Sequence, residues 1–279
     1  MPLYLVGTPL GNLGDMSPRA IETLRRCDFI AAEDTRVTMK LLARFDIHTP
    51  LFCYHEHNRA VSGPALLERL AAGGSGALVT DAGMPAVSDP GLELVAGCAE
   101  RGIEVFAVPG PCAVSAAVAL SGLAAGRFCF EGFLSTASKS RREHLASLKE
   151  ERRALVFYEA PHKLLRTLRD MLESWGDRRV SVSREMTKLH EETRRGTLAE
   201  MLLHFEKTPP RGELTLVIEG ASPPASVPLE EALALAERAR GEGLSLSAAA
   251  RAAAEETGCS RRDLYTLLVK SCGGSIDSI

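Results

Sequence analysis

Residues 76–91, GALVTDAGMPAVSDPG, decide how the rest of the chain is read. The apolar run GALV has the length of a buried strand and stops abruptly at Thr80. The segment Val79–Gly91 then holds two Asp, two Gly and two Pro. A simple turn needs fewer residues and less polar chemistry, so the segment is expected to hold a ligand.

The same grammar extends in both directions. Strand-like runs at 3–7, 29–34, 50–55, 76–80 and 104–110 alternate with helical patterns at 17–27, 36–45, 58–72, 90–102 and 112–122. Ser17 before Pro18 has the form of a helix start. Apolar strands separated by helices imply a mostly parallel sheet covered on both faces. From residue 128 the pattern changes. FCFEGFL, ALVFYEA, RVSVSREM and ELTLVIEG read as strands, with helices near 138–150, 161–175 and 197–206. Residues 183–198 leave no room for a crossover helix between strand signals, so part of this second sheet is expected to be antiparallel. Residues 221–228, ASPPASVP, read as a linker. Three helical patterns follow, two of them joined by the short turn Thr-Gly-Cys-Ser at 257–260. They fit either a helix-turn-helix or a packing appendage. The tail 272–279 reads as frayed. The expected divisions are 1–122, 123–222 and 223–279.

Composition narrows the class. The 279 residues are 45% hydrophobic and 25% charged, with a net charge of −3, as in an ordinary globular protein. No apolar run reaches bilayer length and no basic region precedes the first one, so neither a membrane span nor a secretory signal is expected. The seven cysteines are scattered without a CxxC pair, which argues against zinc and disulfide frameworks and fits a cytoplasmic location. Residues 139–153 carry six Lys/Arg against three Glu. That excess fits a local basic face or a solvated helix.

Five polar loops follow strands: GTPLGN (7–12), EDTR (33–36), YHEHN (54–58), TDAGMPAVSDPG (80–91) and PGPCA (109–113). Carboxyl ends of strands form the ligand crevice of open α/β sheets. GTPLGN lacks the third glycine of a dinucleotide fingerprint, and neither a phosphate-binding P-loop nor a GxSxG elbow occurs. His55 and His57 share a face of an extended segment, but no third ligand is evident, so a substrate contact is expected there and no metal.

Taken in order, GTPLGNLGDMSPRAIETLRRCDFIAAEDTR, YHEHN, VTDAGMPAVSDPG, VPGPCA, FEGFL, FYEAPHKLL, SREMTKLHEE and GELTLVIEG resemble the bacterial 16S rRNA 2′-O-ribose cytidine methyltransferases of the tetrapyrrole-methylase superfamily. The resemblance spans residues 2–220. It implies two α/β domains with S-adenosylmethionine in the cleft between them, a small helical extension, a homodimer, and RNA of the small ribosomal subunit as partner. It implies donor contacts at Pro9, Asp81, Ala82, Gly83, Val87, Cys112, Ala113, Glu159, Met186, Glu213 and Leu214. Departures fall at Met39, Met84, Cys112, Ser135, Ala137, Ala160 and Lys163, and none removes an obvious catalytic group. A base near the acceptor hydroxyl would assist transfer. Glu33, Asp34 and His55 are the candidates, and the adjacent carboxylates are favoured because like charges in a partly dry cleft raise one pKa; the alternative for Asp34 is a cap of helix 36–45 paired with Arg36. Arg36, Lys188, Lys139, Arg141 and Arg142 are the candidate phosphate contacts, with His55 and His57 beside them. The rival readings are a relative acting on a porphyrin precursor or a protein, and a non-catalytic RNA-binding relative. Porphyrin-type relatives typically show a GPGD-type first loop where TPLGN stands here.

Overall fold

The computed structural model describes residues 2–124, 126–222 and 227–271. The expected tail at 272–279 and the centre of the linker lie outside the described residues. Contacts divide the chain into two compact units, Met1–Glu219 and Gly220–Ile279.

The first unit opens with the predicted alternation. Its elements are β1 (Leu3–Val6), α1 (Pro18–Arg26), β2 (Phe29–Ala32), α2 (Thr35–Arg44), β3 (Leu51–Cys53), α3 (Arg59–Ala71), β4 (Gly76–Val79), α4 (Leu92–Glu100), β5 (Val105–Val108) and α5 (Ala113–Ser121). The five strands form one parallel sheet in the order β3-β2-β4-β1-β5. Strands β2 and β4 are buried along their whole length, which is why FIAA and GALV read as continuous apolar runs rather than alternations. Separate apolar clusters cover the two faces, one around Leu24, Ile30 and Val79, the other around Phe29, Leu70 and Leu94.

The second sheet contains β6 (Phe128–Phe133), β7 (Ala154–Glu159), β8 (Arg179–Arg184), β9 (Glu192–Thr197) and β10 (Leu214–Ile218), in the order β6-β7-β10-β8-β9. The β6–β7 pair is parallel and the other three pairs are antiparallel; for β8 and β9 the short gap between them requires it. Helices α6 (Ser138–Ser147), α7 (Leu164–Trp175) and α8 (Leu198–Lys207) cover one face through Leu145, Leu168, Trp175 and Phe205. Helix α5 covers the other, where Val114 and Ala117 meet Val156, Met186 and Val217. One helix that leaves the first sheet thus closes the core of the second. Strand β9, ETRRGT, had no apolar signature in the sequence because it is a polar edge strand.

The second unit contains α9 (Leu229–Gly241), α10 (Leu246–Thr257) and α11 (Arg261–Ser271), packed around Ala232, Ala249, Ala253, Leu264 and Leu268. Gly258 ends α10 in the left-handed conformation, so the short turn at 257–260 forms as the sequence implied. Among the described residues no helix is long and apolar enough to cross a membrane.

Candidate functional site

The loops that follow β1, β4 and β5 are tied together by backbone. Thr8 and Gly83 exchange two hydrogen bonds of 2.9 and 3.1 Å, and the buried Thr8 hydroxyl donates to the Thr80 carbonyl at 3.0 Å. Gly83 makes this turn at φ +93°, a conformation that strains any residue bearing a Cβ. Gly7 must also be glycine, because a Cβ there would lie 2.7 Å from Gly110 Cα in the loop after β5. These contacts build one wall of a cleft of about 670 Å³. The opposite wall comes from the second sheet, through Phe133, Tyr158, Glu159, Met186, Glu213 and Leu214.

The predicted donor residues divide sharply in placement. Asp81, Ala82, Gly83, Val87, Cys112, Ala113, Glu159, Met186, Glu213 and Leu214 all line this cleft. Pro9 is buried and outside the lining, and its neighbour Leu10 reaches the wall instead. Glu159 is only 2% exposed, and its carboxylate is already engaged. It accepts from the Ala160 amide at 2.9 Å and from the Thr167 hydroxyl, and pairs with Lys163 at 3.3 Å.

The candidate base pair separates by role. Asp34 caps α2 by accepting the Arg36 amide at 2.8 Å, and its carboxylate also takes a forked pair of bonds from the Arg36 guanidinium, at 3.0 and 2.7 Å. These bonds hold its carboxyl well below the usual range. Asp34 is therefore not the member of the pair with a raised pKa, and the alternative role as a cap holds. Its position outside the cleft lining agrees with that role. Glu33 does line the cleft and accepts from the Thr80 hydroxyl at 2.8 Å.

Sequence reasoning passed over Asp89, the second aspartate of the opening loop. It lines the cleft, and its carboxyl is pushed up to about 6. Burial is the main cause, and the charges of Glu33 and Asp81 add to it, while a hydrogen bond with the Thr80 hydroxyl works in the opposite direction. Tyr158 faces it from β7. Burial and the nearby charges of Cys112 and Asp89 push the Tyr158 phenol up. Tyr158 also packs against Phe130 and the half-exposed Phe133, with ring centroids 5.0 and 5.4 Å away. The repeated "FEGF" and "FYEA" spellings carried that aromatic signal, but only the pairing of β6 with β7 brings the rings together.

The predicted RNA contacts scatter. Lys188 lies in the cleft wall, its stem against Gly11 and its ammonium 3.1 Å from Glu185 and 3.4 Å from Glu213. Burial opposes both charges, yet the hydrogen bond between them holds the Lys188 pKa above and the Glu185 pKa below their ordinary values. The chain turns sharply here, with Glu185 and Thr187 both at positive φ. Lys139 and Arg142 are exposed on α6. Arg141 is not. It is 3% exposed, pairs with Asp170 at 2.6 Å, and donates to the Ser135 and Thr136 carbonyls at 3.2 Å. Its expected role on RNA is corrected to that of a clamp holding the loop after β6. His55 lies outside the cleft lining, and its Nδ1 accepts the amides of His57 and Asn58 at 3.2 Å, so it shapes the turn into α3. His57 and Arg36 are likewise outside the cleft lining.

Comparison with known proteins gives this arrangement its context. The sequence pattern of the tetrapyrrole (corrin/porphyrin) methylases matches residues 2–202. A Synechocystis protein named ribosomal RNA small subunit methyltransferase I is 51% identical, over 95% of this chain and 96% of its own length. A Thermotoga maritima protein of the same name is 52% identical, over 78% of this chain and 98% of its own length. Among solved structures, a cobalt precorrin-4 methyltransferase superposes with a TM-score of 0.58 at 16% identity, covering 78% of this chain and 94% of the other. Methyltransferases of this family use S-adenosylmethionine as methyl donor. The chain belongs to the tetrapyrrole methylase family, among relatives that carry the name ribosomal RNA small subunit methyltransferase I.

Proposed function

We propose that this protein transfers the methyl group of S-adenosylmethionine to the ribose 2′-hydroxyl of a cytidine in 16S rRNA. The observation that carries this reading is the 51% identity to a small-subunit rRNA methyltransferase through nearly the whole of both chains. The cleft supports it chemically. Its size suits a nucleoside-sized ligand. The close packing of Gly7 on Gly110 and the turn at Gly83 set the loops of this wall, and Ala82, Gly83 and Ala113 line the cleft with little side chain, which suits a ligand with many small polar groups.

The loop Asp81–Gly83, with Val87, Cys112, Ala113, Met186 and Leu214, would hold the donor. Apolar side chains serve its thioether arm and adenine, and backbone groups serve its polar atoms. Glu159 would act through its backbone, since its carboxylate is occupied. When bound, the donor supplies an already activated methyl carbon. What the chain must add is alignment of the acceptor oxygen and removal of its proton. Phe133 and Tyr158 offer aromatic faces to the base of the acceptor nucleotide, as proteins commonly do for unpaired RNA. Lys139 and Arg142 supply positive charge on α6 for the phosphates. The reading includes a homodimer in the cytoplasm, which sedimentation of the purified chain and fractionation of cells test.

Mass-spectrometric mapping of small-subunit rRNA from cells with and without this protein tests the proposal. The expected result is one ribose-methylated cytidine present only when the protein is. An identical methylation map in both cells refutes it.

A further inference from the structure

We propose that Asp89 accepts the proton of the acceptor hydroxyl, with Thr80 and Glu33 holding it in place from behind. The inference rests on the methyl-transfer reading above and names the base that reading leaves open.

The other carboxylates around the cleft already have partners. Asp34 is taken by Arg36, and Glu159 by Lys163, Thr167 and the Ala160 amide. Glu185 and Glu213 share Lys188. Asp81 accepts the Asp34 amide at 3.2 Å. Glu33 accepts a hydrogen bond from the Thr80 hydroxyl. Among the described residues Glu33 and Asp89 both lack a cation and an amide donor, but Glu33 already accepts the Thr80 hydroxyl at 2.8 Å, whereas Asp89 has no ion pair and that same hydroxyl is its one hydrogen-bonding neighbour. It stands where the two sheets face each other, beside Val87 and Ser88 on one wall and opposite Tyr158 on the other.

One buried hydroxyl serves both carboxylates. Thr80 is 3% exposed and donates to Glu33 at 2.8 Å. Its bond with Asp89 favours the ionised form, but burial and the like charges of Glu33 and Asp81 outweigh it and favour the protonated one. The groups facing Asp89 are Glu33 and Asp81 from the first sheet and Tyr158 from the second, and none of them is a cation. A carboxylate so placed takes up a proton readily near neutral pH, as a general base must.

The step balances without another reagent. The 2′-hydroxyl gives its proton to an Asp89 oxygen, and the electron pair left on the ribose oxygen forms the bond to the methyl carbon. The carbon–sulfur bond breaks, its pair stays on sulfur, and the sulfonium charge is lost. Asp89 is left neutral, hydrogen-bonded through Thr80 to Glu33, and returns its proton to solvent when the cleft opens.

Two measurements on the full chain test this. The first is a single-turnover assay of tritium transfer to small ribosomal subunits across pH 5–9, with donor affinity measured by calorimetry. Wild-type rates should rise with pH through an acid limb close to 6. Asp89→Asn should lose about a hundredfold or more in rate and lose the limb, with donor affinity within about threefold of wild type. Glu33→Gln should move the limb to lower pH, because it removes a neighbouring negative charge. The second is carbon-13 NMR of side-chain carboxyls in the donor-free protein. One carboxyl should titrate near 6, vanish in Asp89→Asn and shift down in Glu33→Gln. Full activity in Asp89→Asn overturns the proposal, as does loss of donor binding in that variant, which would make Asp89 a donor ligand. Absence of any carboxyl titrating above pH 5 overturns it as well. A wild type that transfers nothing to ribosomal RNA refutes the broader reading instead, and the NMR result then still reports on Asp89.

Discussion

Two aspartates eight residues apart in one loop share a cleft but not their partners. Both line the cleft and burial raises both carboxyls, but Asp81 also accepts the Asp34 amide, whereas Asp89 has only the Thr80 hydroxyl and is pushed up to about 6. Asp89 should therefore work against stability. Between the ordinary carboxylate pKa near 4 and about 6, the folded chain keeps a proton that the unfolded chain has released. Stability falls as pH rises through that window, and the loss is complete above it. Asp89→Asn is thus expected to stabilise the fold at pH 7.5 by about 1 kcal/mol, after allowance for partial exposure. The gain should vanish near pH 4, as denaturant titrations at the two pH values will show. Asp34 behaves in the ordinary way. Asp34→Ala removes the cap of α2 and should cost about 1 kcal/mol at neutral pH in the same measurement, with turnover largely retained.

At the scale of elements, the loop after β6 is held by charge. Arg141 sits at the start of α6, reaches Asp170 on α7, and binds two carbonyls of the loop. The pair is buried on both sides, so Arg141→Met leaves Asp170 with only the exposed Arg142. A loss of about 3 kcal/mol is expected, read from the denaturation midpoint. Lys139→Ala on the same helix should leave stability within about 0.5 kcal/mol. It should instead weaken binding to ribosomal RNA and flatten the salt dependence of that binding. Opposite results for two neighbouring basic residues would separate the clamp from the RNA-facing charge. A pattern based on Lys/Arg counts could not distinguish them, because burial depends on which side of α6 meets α7.

At the scale of the whole molecule, the cleft belongs entirely to the first unit. The second unit has its own alanine-rich core. Removing residues 221–279 is expected to leave donor affinity within about threefold, measured by calorimetry. A larger loss would mean that the helical unit supports the cleft.

The sequence alone determined the elements and most of one wall. Strand and helix periods follow from local geometry, and the apolar runs FIAA and GALV could only be buried strands. The loops at carboxyl ends of parallel strands gather at one edge, so 80–91 and 109–113 were legible as neighbours, while Asp81, Ala82, Gly83, Cys112 and Ala113 were singled out within them by the family resemblance. The tertiary structure decided everything that depends on what comes across the cleft. Strand β9 is polar and becomes a strand only because β8 offers it an edge. Arg141 and Arg142 are adjacent in sequence, yet only one is buried. Asp89 looks like an ordinary loop aspartate until Thr80, Glu33 and Tyr158 surround it. The physical reason is the same in each case. Backbone periodicity is written over a few residues, whereas desolvation and charge–charge interaction depend on neighbours that only folding brings within reach.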